Sequence, residues 1–122
     1  QEAIAQIRDA YPGHDVEVAE DGQGGARVVV HGLALDAKYA PDTSWVGFTV
    51  GFQYPAADVY PHFVRADLAR ANGQPLGEAM TAGHSWNGGP AIQVSRRSNR
   101  WDRNADTAAI KLTKVLEWIK SR

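Results

Sequence analysis

The side chains that could do chemistry are concentrated in one segment of the C-terminal half of the chain. This segment contains His84, Ser85, Asn87, Gln93 and Ser95. A serine hydroxyl is an oxygen nucleophile that would form an ester, and it needs a positioned base to remove its proton. A glutamine carboxamide is not a nucleophile. The chain has no cysteine, so thiol nucleophiles, disulfides and zinc-thiolate sites are excluded for this sequence.

A second interpretation of the same segment is structural. Asn87-Gly88-Gly89 is a strong turn signal, because asparagine side chains bond to nearby backbone and glycine adopts left-handed conformations. His84 and Asn87 are then a pair that stabilises a loop. Both interpretations remain open from the sequence.

Residues that could bind a partner flank this turn signal. Trp86 lies in a glycine-rich stretch between polar residues, where we expect it to be exposed, and exposed tryptophans are enriched at binding hot spots. Arg96 and Arg97 could pair with acidic groups of a partner, or simply form a solvated face. With Tyr54, these are the predicted binding residues.

The sequence predicts no metal site and no cofactor. The four histidines lack the short spacings typical of metal ligands, so a site would have to be assembled from distant segments. Neither Gly-Gly pair has the strand, glycine-rich turn and helix that bind nucleotides.

Composition sets the remaining limits. A length of 122 residues predicts one domain over 1–122, and 43% hydrophobic with 22% charged residues is typical of a folded globular chain. A formal charge of -1 gives no basic field for nucleic acid. Apolar runs are only a few residues long, so we expect no membrane span and a cytoplasmic protein.

The hydrophobic pattern predicts an α+β domain. Residues 1–11 have helical spacing that ends at Pro12-Gly13, and a hairpin is expected over 16–35 around a glycine-rich turn. A third strand is expected over 45–52, with Val46, Phe48, Val50 and Phe52 on its apolar face. After a proline-rich bend over 54–61, we expect a fourth, edge strand.

The rest of the chain is predicted to be a long loop followed by a helix. Residues 67–90 are rich in glycine and alanine without a clear period, apart from a possible helical turn over 66–71, and 91–95 are a short apolar stretch. Asp106 is expected to cap the last helix, which places Ala108, Leu112, Val115 and Ile119 on one face. Lys111, Lys114, Glu117 and Ser121 are expected on its solvent face.

This order, with Tyr54-Pro55 after the strands, resembles the ubiquitin-conjugating (UBC-like) superfamily, which includes RWD domains and the catalytically inactive UEV variants. His84-Ser85-Trp86-Asn87 stands where the family has a His-Pro-Asn segment, although the proline is missing. Ile92-Gln93-Val94 matches the triplet around the catalytic cysteine, and Trp101 follows Gln93 by eight positions. The resemblance therefore puts Gln93 at the cysteine position. It also implies a functional interpretation of His84 and Asn87, because in the family this asparagine amide lies near the thioester and stabilises the developing oxyanion.

The resemblance implies a UBC-like fold, with a four-stranded antiparallel meander, a long loop and a C-terminal helix packed on the sheet. It also implies a bacterial, non-catalytic domain whose partner is a ubiquitin-like protein or an activating-enzyme-like protein. Two alternatives stay open. One is a conjugating enzyme whose cysteine has been mutated or replaced by another group near 84–95, and the other is an RWD-like adaptor.

Overall fold

A computed structural model describes residues 2–98 and 100–121. The elements, in chain order, are α1 (Glu2–Ala10), β1 (Val16–Glu20), β2 (Ala26–Ala34), β3 (Tyr39–Ala40), β4 (Thr43–Val50), β5 (His62–Arg65), β6 (Ala69–Arg70), β7 (Met80–Trp86), β8 (Gly89–Val94) and α2 (Ala108–Lys120). The α+β class, both helices and the antiparallel sheet are confirmed.

The main sheet has six antiparallel strands in the order β1-β2-β4-β5-β8-β7, and β3 pairs separately with β6. The expected sheet of four strands was therefore too small. Of the two added strands, β7 lies inside the stretch 67–90 interpreted as a long loop, and β8 covers the end of that stretch and most of the apolar stretch 91–95. Asn87 (φ 54°) and Gly88 (φ 84°) form a two-residue turn that joins β7 to β8. Two successive left-handed residues match the twist of a tight hairpin.

Two further predictions about the strands are wrong. β5 is not an edge strand, because Pro61 precedes it rather than interrupting it, and β8 pairs with its second edge. β4 ends at Val50, so Phe52 leaves the apolar face and is 70% exposed. The possible helical turn over 66–71 is instead occupied partly by β6.

Both helices contribute to a core with one face of the sheet. Ile4 and Ile7 of α1 and Leu112 of α2 join the inward-facing side chains of the central strands. These are Val28, Val30, Val46, Phe48, Val50, Val64, Ile92 and Val94. The buried Tyr39 hydroxyl donates to the Ile119 carbonyl at 2.7 Å and fixes the end of α2.

Two details of α2 differ from the sequence prediction. Its N-cap is Thr107, whose Oγ1 accepts from the Ile110 amide at 3.1 Å, whereas Asp106 lies just before it and accepts from the Asp102 amide. Lys111 is not on the solvent face, since only 4% of its side chain is exposed. Its ammonium group can be buried because it pairs with the partly buried carboxylate of Asp58, as described below.

Candidate functional site

The β7–β8 hairpin separates the residues expected to act together. His84 and Trp86 lie on β7, and Asn87 is in the turn at one end of the hairpin. Arg96 and Arg97 follow β8 at its other end. Because a strand rises about 3.3 Å per residue, the length of β8 lies between these two groups. They belong to two surfaces of the domain.

Gln93 occupies a position within β8 and not in a loop. It is in register with Phe63 on one side and Thr81 on the other. Its side-chain Nε2 donates to Ser95 Oγ at 2.9 Å. This amide-hydroxyl pair has neither a thiolate nor a base that could activate the serine.

Ser95 also interacts with a phenol. Hydrogen bonds from Arg97 and then Ser95 lower the pKa of Tyr60, because they stabilise the phenolate form. In register, His84 faces Ala91 across the hairpin. Among the described residues, no hydrogen bond joins a histidine to Ser85 or Ser95. The side chains around Gln93 therefore form a polar network within the sheet, in which Ser95 contacts Gln93 and Tyr60.

An aromatic row lies on the sheet face opposite the helices. Trp86 is half-buried at the end of β7, and its ring stacks on Phe63 (centroids 5.4 Å, planes 16° apart). Trp86 also stacks on Trp45 (6.2 Å, 19°). The three rings come from β4, β5 and β7 and form a row of stacked rings. We call Trp45, Phe63 and Trp86 the aromatic row.

Gly47 makes room for this row. It is in register with Phe63 and Val29, and a Cβ atom built on it would overlap the six-membered ring of Trp86. The indole therefore lies directly on the backbone of β4, as an aromatic side chain does when it covers a strand glycine. Trp86 is thus a packed part of the sheet surface and not the exposed loop residue that the sequence indicated. Its location on β7 could have been found from the Asn87-Gly88 hairpin signal.

Polar groups border the aromatic row at the first two strands. A cavity of about 300 Å³ is lined by Trp45, Trp86, Asn87, Glu17 and His31, together with Val29, Gly89 and Pro90. His31 Nε2 and Glu17 Oε1 are 2.6 Å apart. The cavity combines apolar ring faces with a hydrogen-bonded carboxylate-imidazole pair.

The structure brings together one group of potential metal ligands among its described residues. Ligand atoms of Asp15, Glu17 and His31 lie within 4.8 Å of one another. The sequence did not predict this group, because it is the pairing of β1 with β2 that brings His31 close to the two carboxylates. Glu17 and His31 satisfy each other without an ion, and both carboxylates are exposed.

Tyr54 lies apart from the hairpin and helps to position α2. Its hydroxyl accepts a hydrogen bond from the Ala108 amide at 3.0 Å, and its ring is 6.4 Å from that of Trp101. Trp101 Nε1 in turn donates to the Pro55 carbonyl at 2.6 Å. Tyr54, which was predicted to bind a partner, thus accepts a hydrogen bond from a backbone amide in the first turn of α2 that has no acceptor within the helix.

A buried charged cluster on the helix side was missed by sequence reasoning. Lys111 Nζ donates to both carboxylate oxygens of Asp58, at 3.0 and 3.1 Å, and to Ser98 Oγ at 2.9 Å. The Ser98 amide also donates to Asp58 at 2.8 Å. Burial raises the pKa of Asp58, but hydrogen bonds from Ser98 and Lys111 and the lysine charge together bring it below its usual value. No spacing in the sequence marks these three residues as neighbours.

His62 adjoins this cluster and packs against the core. It is fully buried, its ring lies 5.1 Å from that of Phe48, and neither ring nitrogen has a hydrogen-bond partner among the described residues. Burial, followed by the positive charge of Lys111, lowers the pKa of His62 to about 3, although Asp58 acts in the opposite direction. The imidazole is therefore neutral at physiological pH and is a core residue.

Comparisons with known proteins identify no relative. No family model, curated protein or solved structure matches the chain. Among the described residues, no helix has both the length and the apolar character needed to cross a bilayer. The proposals below therefore rest on the residues and their geometry.

Proposed function

We propose that this chain is a non-catalytic UBC-like domain that binds a ubiquitin-like protein or an activating-enzyme-like protein in a bacterial conjugation pathway. The observed order of helix, antiparallel strands and helix, with both helices on one sheet face, supports the resemblance. The β7–β8 hairpin extends the sheet beyond the four strands that the resemblance implies.

One observation carries the non-catalytic part of the proposal. At the position where the resemblance expects the cysteine, the side chain is Gln93, and its amide is bonded to Ser95 inside the sheet. Thioester transfer needs a thiolate, because a thioester keeps the acyl group activated for attack by an amine. A carboxamide cannot provide this step.

The aromatic row supports the binding part of the proposal. Interfaces owe most of their affinity to a few large aromatic residues near the centre of the contact. Trp45 and Trp86 are only partly buried, and the row lies on the face that neither helix covers. It is bordered by hydrogen-bonding groups of Glu17, His31 and Asn87. An apolar centre with a polar rim is the usual composition of a protein interface.

The test is to incubate the chain with the activating enzyme, the ubiquitin-like protein and ATP of its host, and then to separate covalent from non-covalent products. We expect a non-covalent complex and no adduct. An adduct that resists reducing agent but is cleaved by hydroxylamine would contradict the proposal and favour a conjugating enzyme that uses Ser85 or Ser95. Failure to bind either host protein would instead favour an RWD-like adaptor.

Gln93→Cys is a sharper version of the same assay. If Gln93 stands at the cysteine position, the variant places a thiol where the activated protein is presented, and a thiol-sensitive adduct is expected. Thr81→Cys, on the neighbouring strand and in register with Gln93, is the matched control. Equal adducts on both variants would show non-specific thiol capture.

A further inference from the structure

The charges of this chain are unevenly distributed. Eight of the 13 Lys and Arg residues lie in positions 96–122, which contain only three of the 14 acidic residues. The chain as a whole has a formal charge of -1, so the preceding residues are acidic. One end of the sequence is therefore strongly basic in an otherwise acidic chain.

The fold gathers part of this charge around one cavity. The cavity has a volume of about 290 Å³ and is lined by Arg96, Arg97, Arg100 and Lys114, with the indole of Trp118 and the side chain of Val115 beside them. It lies between the segment that follows β8 and the exposed side of α2. We call it the basic cavity. It is on the helix side of the domain, whereas the aromatic row is on the opposite face.

Aromatic rings hold two of the arginines in place. The Arg96 guanidinium lies 4.9 Å from the centre of the Trp118 ring, and that of Arg97 lies 4.4 Å from the centre of the Tyr60 ring. Stacking on a ring restricts a guanidinium while leaving N–H groups able to donate in its plane, and Arg97 already gives one hydrogen bond to the Tyr60 hydroxyl. Trp118 belongs to α2, whereas Tyr60 precedes β5. The two guanidinium groups are therefore held at separate positions.

The cations of the basic cavity differ in whether a carboxylate pairs with them. Lys111 is occupied by Asp58, and Lys114 lies 3.7 Å from Asp106, which also lines the cavity. Over residues 2–98 and 100–121, none of the ion pairs includes Arg96, Arg97 or Arg100. Asp106 is the one carboxylate among the described residues that line the cavity, so the cavity carries a net positive charge and a bound anion would be attracted to it.

We propose that the basic cavity binds an acidic peptide segment of the partner protein. A single small oxyanion is best held by donors that converge on one point, whereas these guanidinium groups are anchored separately and suit several carboxylates spaced along a peptide. Each planar guanidinium can bind a carboxylate through two parallel hydrogen bonds. The inference rests on the proposed function, which supplies a protein partner, and it defines the chemistry of a second contact with that partner.

The probe is a fluorescein-labelled hexaglutamate peptide, and its anisotropy is measured as the protein is added at about 0.02 M salt. We expect binding that weakens steeply towards about 0.3 M salt, because these charges are exposed and therefore screened. The variant Arg96→Gln with Arg97→Gln should bind roughly tenfold more weakly or worse. Arg103→Gln removes an exposed cation outside the cavity and should change affinity less than about twofold.

Each possible outcome decides the inference. A labelled hexaglutamine peptide that binds equally well, or an Arg103→Gln effect as large as that of the double variant, would overturn it. So would binding of inorganic phosphate, detected by thermal shift, without binding of hexaglutamate. Thermal unfolding confirms that each variant is folded. The hexaglutamate assay contains no partner protein, so its failure is distinguishable from failure of the chain to bind the ubiquitin-like or activating-enzyme-like protein.

Discussion

The two faces of the central sheet are built in different ways. On the helix side, side chains that alternate along each strand meet the apolar sides of α1 and α2 and form the core. On the opposite face, three rings from β4, β5 and β7 stack on one another without help from a helix, and one of them, Trp86, covers Gly47. The comparison indicates that the covered face provides most of the stability, whereas the aromatic row is available for binding.

The largest loss of stability is expected from the buried ion pair of the covered face. Asp58→Ala leaves the Lys111 ammonium buried with only Ser98 as a partner. Removal of one member of a buried pair costs about 3–5 kcal/mol. Urea unfolding measures the change, and the double variant Asp58→Ala with Lys111→Met should recover a substantial part of it. A loss no greater than that of a surface pair would contradict the buried-pair assignment.

The hydrophobic part of the same face should respond almost as strongly. Leu112 is fully buried on α2, and Leu112→Ala should lower the free energy of unfolding by about 2–5 kcal/mol through lost burial and a residual cavity. Ile110→Ala, an exposed position on the same helix, is the control. Similar losses for both variants would show that α2 is not packed on the sheet as described.

Acid should destabilise the covered face through His62. Its pKa is about 3 in the folded chain, against an ordinary value near 6.5. Between these two values the unfolded chain binds more protons, so stability is lost as pH falls through this window, with a limiting slope of about 1.4 kcal/mol per pH unit. Asp58 adds acid sensitivity only below its own ordinary pKa, since its folded pKa is also lowered.

The variant His62→Phe separates these two contributions. Because phenylalanine does not titrate, the dependence of stability on pH between about 6 and 4 should flatten, while the loss at lower pH that comes from Asp58 remains. Urea unfolding at a series of pH values measures both. An unchanged pH profile would mean that His62 is not the titrating group.

The sheet face that carries the aromatic row should contribute less to stability than the face covered by the helices. Trp86→Ala removes two ring contacts, and aromatic pairs contribute about 0.5–1.5 kcal/mol each beyond their area. We therefore expect a loss of about 1–3 kcal/mol, whereas the sequence alone indicated almost none. Gly47→Ala should have a comparable effect, because its methyl group displaces the indole, and tryptophan fluorescence should report that displacement. A fluorescence spectrum identical to that of the wild type would contradict the packing of Trp86 on Gly47.

The two faces also differ in how far the sequence predicts them. Helical spacing identified the apolar side of α2, and alternation identified Val46, Phe48 and Val50, because local period alone determines those positions. The aromatic row depends on register between β4, β5 and β7, which local patterns do not contain. Lys111 was placed in solvent for the same reason, since its partner Asp58 is distant in sequence.

The candidate site shows the same limit. The sequence analysis recognised Asn87-Gly88 as a turn but did not assign the two strands that it joins. It therefore missed that Trp86 and Gln93 lie on paired strands. Arg96 and Arg97 were identified as cations near Gln93, but their separate anchoring on Trp118 and Tyr60 depends on where α2 and the segment before β5 pack. Composition identifies such residues, and tertiary packing determines their partners.

The most direct test of the account is the affinity of the purified ubiquitin-like or activating-enzyme-like protein of the host for two aromatic variants, measured by isothermal titration calorimetry. Trp86→Ala alters the aromatic row, and Phe52→Ala removes an exposed ring outside it. We predict that Trp86→Ala weakens binding by about 2 kcal/mol or more, the scale of a hot-spot aromatic, and that Phe52→Ala leaves it nearly unchanged. Undiminished affinity of a folded Trp86→Ala variant would contradict the proposal that the aromatic row binds the partner protein.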